Sequence, residues 1–520
     1  MAAGICLNSF AYRMRSTRKL ISYGLLAMFL LACSAEEGKS QIFEKITEWG
    51  FFPESIGPRT SGLYAQLGTD YFRRRQADVH STAVLTLFYR TDAGFFMGNS
   101  LHSGAFGQGG GIFLGGIELG WIFPFVKNSE LSVSGFIGGG GGAGQVPGEG
   151  MMLRTNASLL LPVFDRTYVA GGLSRIHITG SPISTYAAHL SIQRQLNLAI
   201  APGHNRNMNV LRGATVVRAF KPAARVYIPL GSKKRRSTEP LGNMYGMGTE
   251  VGFELHPHGE AFVQAYGVFA GDAEGYADWA LGYRHFFDMD FGRVFVAAAS
   301  GSAGGGAVNS GGGLFMLAGA GVEIPAFSRF AVEVEMNAVR ALNGDFLALA
   351  PGVKFVSLLE REGREDRRFT YGWRAHNGIA IQIPNKHYRV PGASSKKAPI
   401  MIEAKLDLFL KEQLYVTGHG YTAFKGDAGG YQLGLLGVGY TQPVYKRVMA
   451  SGEVYLGAGG GAGIQTRGGL VSGARVDFDV PIVGYLSWSV GVGKIFALMG
   501  KGMAPWTLHT GITLPFLSFH

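Results

Sequence analysis

Three glycine tracts constrain this chain more than any other feature. IGGGGGAG occupies residues 137–144, SAGGGAV runs from Ser302 to Val308, and GAGGGAG runs from Gly457 to Gly463. Glycine gives up the most backbone entropy on folding and buries no side chain, so an ordered run of it is costly. The runs start at Gly138, Gly304 and Gly459, 166 and 155 residues apart. Each is followed by a strand-like stretch ending apolar-Pro-apolar: LLLPVF at Pro162, VEIPAF at Pro325, FDVPIV at Pro481. Upstream, FAGDAEGYADWALGY (269–283) lines up with FKGDAGGYQLGLLGVGY (424–440). Tract and proline recurring in step mark a multiplied unit, and we place the copies at 61–206, 207–368 and 369–520.

The first segment reads as an export address. Arg13, Arg15, Arg18 and Lys19 precede LISYGLLAMFLLA, and the chain turns polar at CSAEEGKS. This is the layout of a secretory signal over 1–35, and the apolar run is too short to cross a bilayer core of ~30 Å as a helix. LLAC, ending at Cys33, resembles a lipobox and makes Cys33 a lipidation candidate, with cleavage after Ala35 as the competing outcome. Residues 36–60 are expected to form a periplasmic segment, a linker or a brief amphipathic helix carrying Ile42, Ile46 and Trp49. The chain holds 2 cysteines, Cys6 and Cys33, so the mature part has no internal disulfide and no cysteine metal site. No later stretch supplies the ~18 continuous apolar residues of a membrane helix. If the mature chain crosses a membrane, it crosses as strands.

Period-two alternation dominates each copy. Glu333, Glu335 and Asn337 oppose Val332, Val334 and Met336, while Arg475, Asp477 and Asp479 oppose Val476, Phe478 and Val480. In the first copy strands are expected near 63–72, 82–90, 94–103, 111–124, 130–138, 151–162, 167–177 and 185–196, about eight per copy. Short links (TDAG, FVKNSE, VFDR) alternate with long ones (RRRQADVHS, the glycine tract with QVPGEG, TGSPIS). Alternating turn and loop lengths are the habit of membrane barrels.

On these residues the chain resembles a Gram-negative outer-membrane β-barrel, porin-like in the broad sense. The final HTGITLPFLSFH adds Gly511, Leu514 and Phe516 at the spacing of the terminal signal read by the barrel assembly machinery, although Phe519 is followed by His520. The resemblance implies an all-β fold: an antiparallel up-and-down transmembrane barrel of about 24 strands built from three internal repeats. Unpaired backbone groups are intolerable in hydrocarbon, so edges must close. Charges on the inward parity favour one wide, water-filled ring over three packed cylinders. Tandem small barrels and soluble β domains are the alternatives. Glu333, Glu335, Arg475, Asp477 and Asp479 are then lumen-facing, and the glycine tracts form outer hairpin tips or fold inward at the mouth.

The first long loop of each copy is basic: Arg73, Arg74 and Arg75; Lys233, Lys234, Arg235 and Arg236; Lys386, Arg389, Lys396 and Lys397. These are solvated tips, or they meet lipopolysaccharide phosphates or attract anions. The formal charge of +12 does not imply nucleic acid in an exported chain. Catalytic patterns are weak: G-x-G-x-x-G at Gly139 carries little meaning in so glycine-rich a chain, and SSKK (394–397) lacks companion motifs. HPH (256–258) lacks metal partners, and His102, Ser103 and His177 follow no spacing. The expectation is no enzyme, no cofactor and no metal. It is an outer-membrane channel for passive diffusion of small polar or anionic solutes, with lipid, lipopolysaccharide and the assembly machinery as partners. The alternative is a structural or interaction scaffold displaying glycine-rich and basic loops, alone or as part of secretion or surface-assembly machinery.

Overall fold

The computed structural model describes residues 62–518, apart from 73–78, 127, 143–148, 165, 197, 201–215, 236, 328–329, 359–370, 394, 411–412, 446–447 and 484–485. The signal segment, Cys33, residues 36–60, Arg73, Arg74, Arg75 and Arg236 lie outside them.

Alternating side chains become long antiparallel strands. The first eight are β1 (Gly62–Phe72), β2 (Val79–Arg90), β3 (Phe95–Gly107), β4 (Phe113–Pro124), β5 (Glu130–Gly141), β6 (Met152–Phe164), β7 (Thr167–Ile178) and β8 (Ser184–Gln195). A short β9 (Leu198–Ile200) precedes β10 (Val216–Pro229), β11 (Met244–His256), β12 (Gly259–Gly271), β13 (Ala277–Met289), β14 (Gly292–Gly304), β15 (Leu314–Phe327), β16 (Phe330–Ala341) and β17 (Leu347–Leu358). The last set is β18 (Tyr371–Ile383), β19 (Ile400–Phe409), β20 (Leu414–Lys425), β21 (Gln432–Tyr445), β22 (Val448–Gly460), β23 (Leu470–Val483), β24 (Leu486–Ala497) and β25 (Trp506–Ser518). Setting β9 aside, these are the 24 antiparallel strands the alternation implies, eight to a copy.

They do not close as one ring. β1 pairs with β8 (Gln66↔Gln193, Asp70↔His189), β10 with β17 (Ala224↔Val353), and β18 with β25 (Asn377↔Ile512). The expected 24-strand barrel is therefore corrected to three closed barrels of eight strands, called barrels 1, 2 and 3. Each copy satisfies its own edge groups, so nothing forces the copies to share a ring.

All three barrels point the same way. Turns such as 257–258 and 290–291 close one end, and longer loops such as 230–243, 305–313 and 384–399 close the other. At the short-turn end the outward faces of the first strands meet: Leu63, Val217, Trp373 and Leu408 are buried in one apolar cluster joined by Tyr89, Phe253 and Val416. At the long-loop end, β3 lies against β14 and β15, β12 against β22, and β20 against β4 and β5, so the contacts run cyclically around the three barrels.

The glycine tracts lie in this upper seam. A Cβ on Gly304 would stand 2.2 Å from the backbone nitrogen of Gly111, and one on Gly139 would stand 2.5 Å from the carbonyl oxygen of Ala423. The hairpin tips or inward-folding mouth loops expected from the tracts are thus replaced, at the ends of β5 and β14, by strand ends that bring two backbones together, a close approach only glycine permits, while on β22 the seam is looser, with the Ala458 Cβ 3.2 Å from a Cβ placed on Gly267. Polar ties cross the same seam. Trp279 Nε1 donates to Ser103 Oγ (2.8 Å), Gly110 N to the Gly311 carbonyl (2.8 Å), and Gly430 N to the Gly140 carbonyl (2.8 Å). The chain leaving barrel 1 also adds β9 to the free edge of β25, Phe516 facing Ile200 and Ser518 facing Leu198.

Outside the seams the wall is apolar. Leu119, Val133, Leu173, Leu190, Val296, Val334, Val353, Val454, Val476 and Val492 point outward and are exposed. Aromatic residues collect where this belt ends: Phe123, Phe164, Phe291, Phe327 and Tyr445 toward the short turns, Tyr71, Phe106, Tyr186, Tyr245 and Trp506 toward the long loops. An apolar band between two aromatic girdles is the outer surface of a bilayer-spanning barrel.

Candidate functional site: three charged interiors and the long-loop face

Eight strands enclose a bore that side chains can fill, and here a charged network, different in each barrel, is set among buried apolar and aromatic side chains such as Phe88 and Phe136 in barrel 1, Phe262 and Phe295 in barrel 2 and Tyr421 and Tyr455 in barrel 3. Barrel 1 centres on Arg154 of β6. Its Nε and Nη2 donate to both oxygens of Asp70 on β1 (2.8 and 3.1 Å), and its Nη1 donates to Glu118 of β4 (3.1 Å). Asp70 also accepts from Ser174 (3.0 Å) and lies 2.9 Å from His189 Nδ1, while Ser134 donates to Glu118 (2.7 Å). His102 stands 3.8 Å from Asp70, and its neighbour Ser103 faces outward to the Trp279 tie.

Barrel 2 holds a denser lattice. Lys221 reaches Glu250, Glu260 and Glu333 (3.1, 2.7 and 2.7 Å), and Arg284 reaches the same three (2.8, 2.7 and 3.3 Å). Lys354 bridges Glu250 (2.6 Å) and Glu335 (2.9 Å), and Arg225 also donates to Glu335 (2.7 Å). Arg218 extends the lattice to Glu323 (3.0 Å) near the short-turn end. In barrel 3, Arg475 pairs with Asp477 (2.6 Å) and Glu403, and Arg374 with Asp407 (2.7 Å) and Asp479 (3.0 Å). Lys405 pairs with Glu453, and His509 and His419 lie 3.0 and 3.1 Å from Glu403 and Glu453.

Glu333, Glu335, Arg475, Asp477 and Asp479 thus project inward and are buried, in packed ion-pair networks where a water-filled ring was expected. Their opposite charges sit in the same barrel, on other strands or, for Arg475 and Asp477, two residues along β23, which stabilises charge that unpaired burial would make prohibitive. Sequence reasoning missed Lys221, Arg284, Lys354, Arg154 and Arg374. The signal for Lys221, Arg284, Lys354 and Arg374 was inward parity opposite a carboxylate on the neighbouring strand, Glu250, Glu260, Glu333 and Asp407, whereas Arg154 faces Phe136 and Ile176 and carried no such signal.

The basic loop residues divide by role. Arg235 leaves its loop to donate to the carbonyls of Gly110 (3.1 Å) and Gln108 on barrel 1. Arg389 ties three loops of barrel 3 through the carbonyls of Gly426, Asp427 and Ala462 (2.8, 3.0 and 3.0 Å). Lys397 pairs with Asp427 (2.9 Å), an exposed contact that holds the lysine above and the aspartate below its ordinary range. Lys234, held high by Asp272 (3.4 Å), lines with Lys233, Ser237, Thr238, Asn309 and Asp345 an open cleft of about 590 Å³. Lys386 and Lys396 are exposed. His256 and His258 of the HPH turn contact Tyr283 (3.0 Å) and Asp288 (3.5 Å), and Ser395 of SSKK donates to Asp427 (3.0 Å).

No protein-family model and no curated protein matches the sequence. Solved structures overlap it at low similarity. Pseudomonas aeruginosa OpdQ is 11% identical, over 89% of this chain and 100% of that one, with a TM-score of 0.21. Acinetobacter baumannii OccAB3 is 6% identical, over 87% of this chain and 97% of that one, with a TM-score of 0.22. Superposition this loose carries no argument about function, which rests on the geometry above.

Proposed function

We propose that the protein is an integral outer-membrane channel of narrow bore, crossing the bilayer as three parallel barrels. Small ions or polar solutes pass along the charged interior of each barrel, and the cations of the long-loop face concentrate anions at the mouths. The apolar belt with its aromatic girdles supports the location, as does the export-type first segment. The observation that carries the channel is the shared pairing in barrel 2. Lys221 and Arg284 each bridge Glu250, Glu260 and Glu333, so one partner can be released while the others hold. Exchange of partners opens the bore without leaving a charge bare in a low-dielectric interior. Lipid, lipopolysaccharide and the barrel assembly machinery are the partners this reading requires.

A second reading, a membrane-embedded scaffold presenting its long-loop face, is favoured by the span of Arg154 across barrel 1 from Asp70 to Glu118. Planar-bilayer recording of the purified full chain separates the two. The channel reading expects small conductance steps whose amplitude or open time rises in Glu333→Gln. A folded, inserted protein without steps defeats it and leaves the scaffold.

A further inference from the structure

The seventh strand of each barrel breaks the apolar rule near its long-loop end. The apolar-Pro-apolar step fixes the alignment, because Pro162, Pro325 and Pro481 face Tyr168, Ala331 and Ser487 on β7, β16 and β24. Seven residues further, at equivalent positions, stand Arg175 on β7 and Lys494 on β24. Arg340 on β16 stands two residues beyond that level, where β7 carries His177. All four side chains point outward and are exposed, near the long-loop end and away from the seams. Among the described residues no carboxylate pairs with Arg175, Arg340 or Lys494.

Barrel 1 shows the most developed arrangement. The Arg175 guanidinium lies 4.8 Å from the centre of the Tyr186 ring and donates to Ser184 Oγ (3.1 Å), which is 3.3 Å from His177 Nδ1. Tyr186 is 65% exposed, so ring and cation form a ledge facing hydrocarbon. In barrel 3, Lys494 Nζ stands 5.3 Å from the ring centre of Trp506, the girdle residue paired with it across β24 and β25. A cation on the lipid face is destabilising at mid-bilayer and far less so near the interface. It is retained most cheaply where an anion neutralises it.

We propose that these cations are lipid-phosphate sites, and that the Arg175 ledge holds a phosphate of lipid A in the outer leaflet. The guanidinium fork and the Ser184 hydroxyl bind the phosphate oxygens, and the Tyr186 ring covers the first acyl carbons. The site rests on the outer-membrane reading and is separate from the basic loops.

The test uses the full chain folded in nanodiscs, with native mass spectrometry counting retained diphosphoryl lipid A, dephosphorylated lipid A and phosphatidylglycerol. Lipid A with its phosphates should bind about tenfold more tightly than the dephosphorylated form. That preference should fall for the first lipid bound in Arg175→Ala, be partly restored in Arg175→Lys, and vanish when Arg340→Ala and Lys494→Ala are added. Heat-modifiable gel mobility confirms that each variant remains folded. Equal retention of the two lipid A forms by inserted protein overturns the inference and leaves the membrane reading intact. Equal retention of phosphatidylglycerol overturns the commitment to lipid A. A chain that fails to enter bilayers overturns both.

Discussion

The seams between barrels and the bores within them use opposite residue types. The seams are uncharged: glycine contacts and single hydrogen bonds at the long-loop end, as with Gly304 on Gly111 and Gly139 on Ala423, and large apolar side chains such as Leu63, Trp373 and Leu408 at the short-turn end. The bores set arginine, lysine, histidine and carboxylate among buried aromatic rings, and the charges differ from copy to copy, from the single Arg154 hub of barrel 1 to the shared lattice of barrel 2. A seam must match a neighbouring surface, which ties all three copies to one solution. A bore must satisfy only itself, so any set of paired charges that fits will serve.

Breaking the bore of barrel 2 should cost most. Arg284→Leu leaves Glu250, Glu260 and Glu333 with one ion-pair donor fewer at the centre of the lattice, and a broken buried pair is worth about 3–5 kcal/mol. Thermal or urea unfolding followed by heat-modifiable mobility checks this, and a loss below ~1 kcal/mol would show that water solvates the lattice. The seam comes next. Gly304→Leu forces a side chain into the backbone of barrel 1 and should destabilise the joined barrels by about 3 kcal/mol. Gly171→Ala, with nothing within 4 Å of the added carbon, should change stability by less than ~0.5 kcal/mol. Equal effects of the two would mean that the barrels do not touch. The smallest effect belongs to the loop pair Lys397 and Asp427. Because the aspartate lies below and the lysine above its ordinary range, the contact is present at neutral pH. It is lost as pH falls through the lowered aspartate value, beneath 3.8. The protection of amides 426–431, taken relative to intrinsic exchange at each pH, should fall in that acid window and again as pH rises through the raised lysine value, and a flat profile would remove the pair from the account.

Local features were legible in the sequence. The strand expected at 167–177 is β7 at Thr167–Ile178 and that at 130–138 is β5 at Glu130–Gly141, because alternation is written residue by residue. Closure was not legible. Nothing local states that Asp70 lies beside His189, so an eight-strand ring and a 24-strand ring share one pattern. Inward charge misled for a related reason: Glu333 and Glu335 suggest water until Lys221 and Lys354 are placed opposite them. The glycine tracts read as loop tips or mouth loops because the backbones that approach Gly139 and Gly304 belong to another copy. β9 is too short to show a period.

The central claim is that each copy closes on itself. Outward-facing Thr69 and Leu190 are register partners across β1 and β8, so Thr69→Cys with Leu190→Cys, in a chain where Cys6 and Cys33 are replaced by serine, should form a disulfide on mild oxidation and keep the folded mobility. Full reactivity of both thiols toward maleimide, with the folded mobility unchanged and no 69–190 bond, would show that β1 and β8 are not neighbours and that the three-barrel account is wrong.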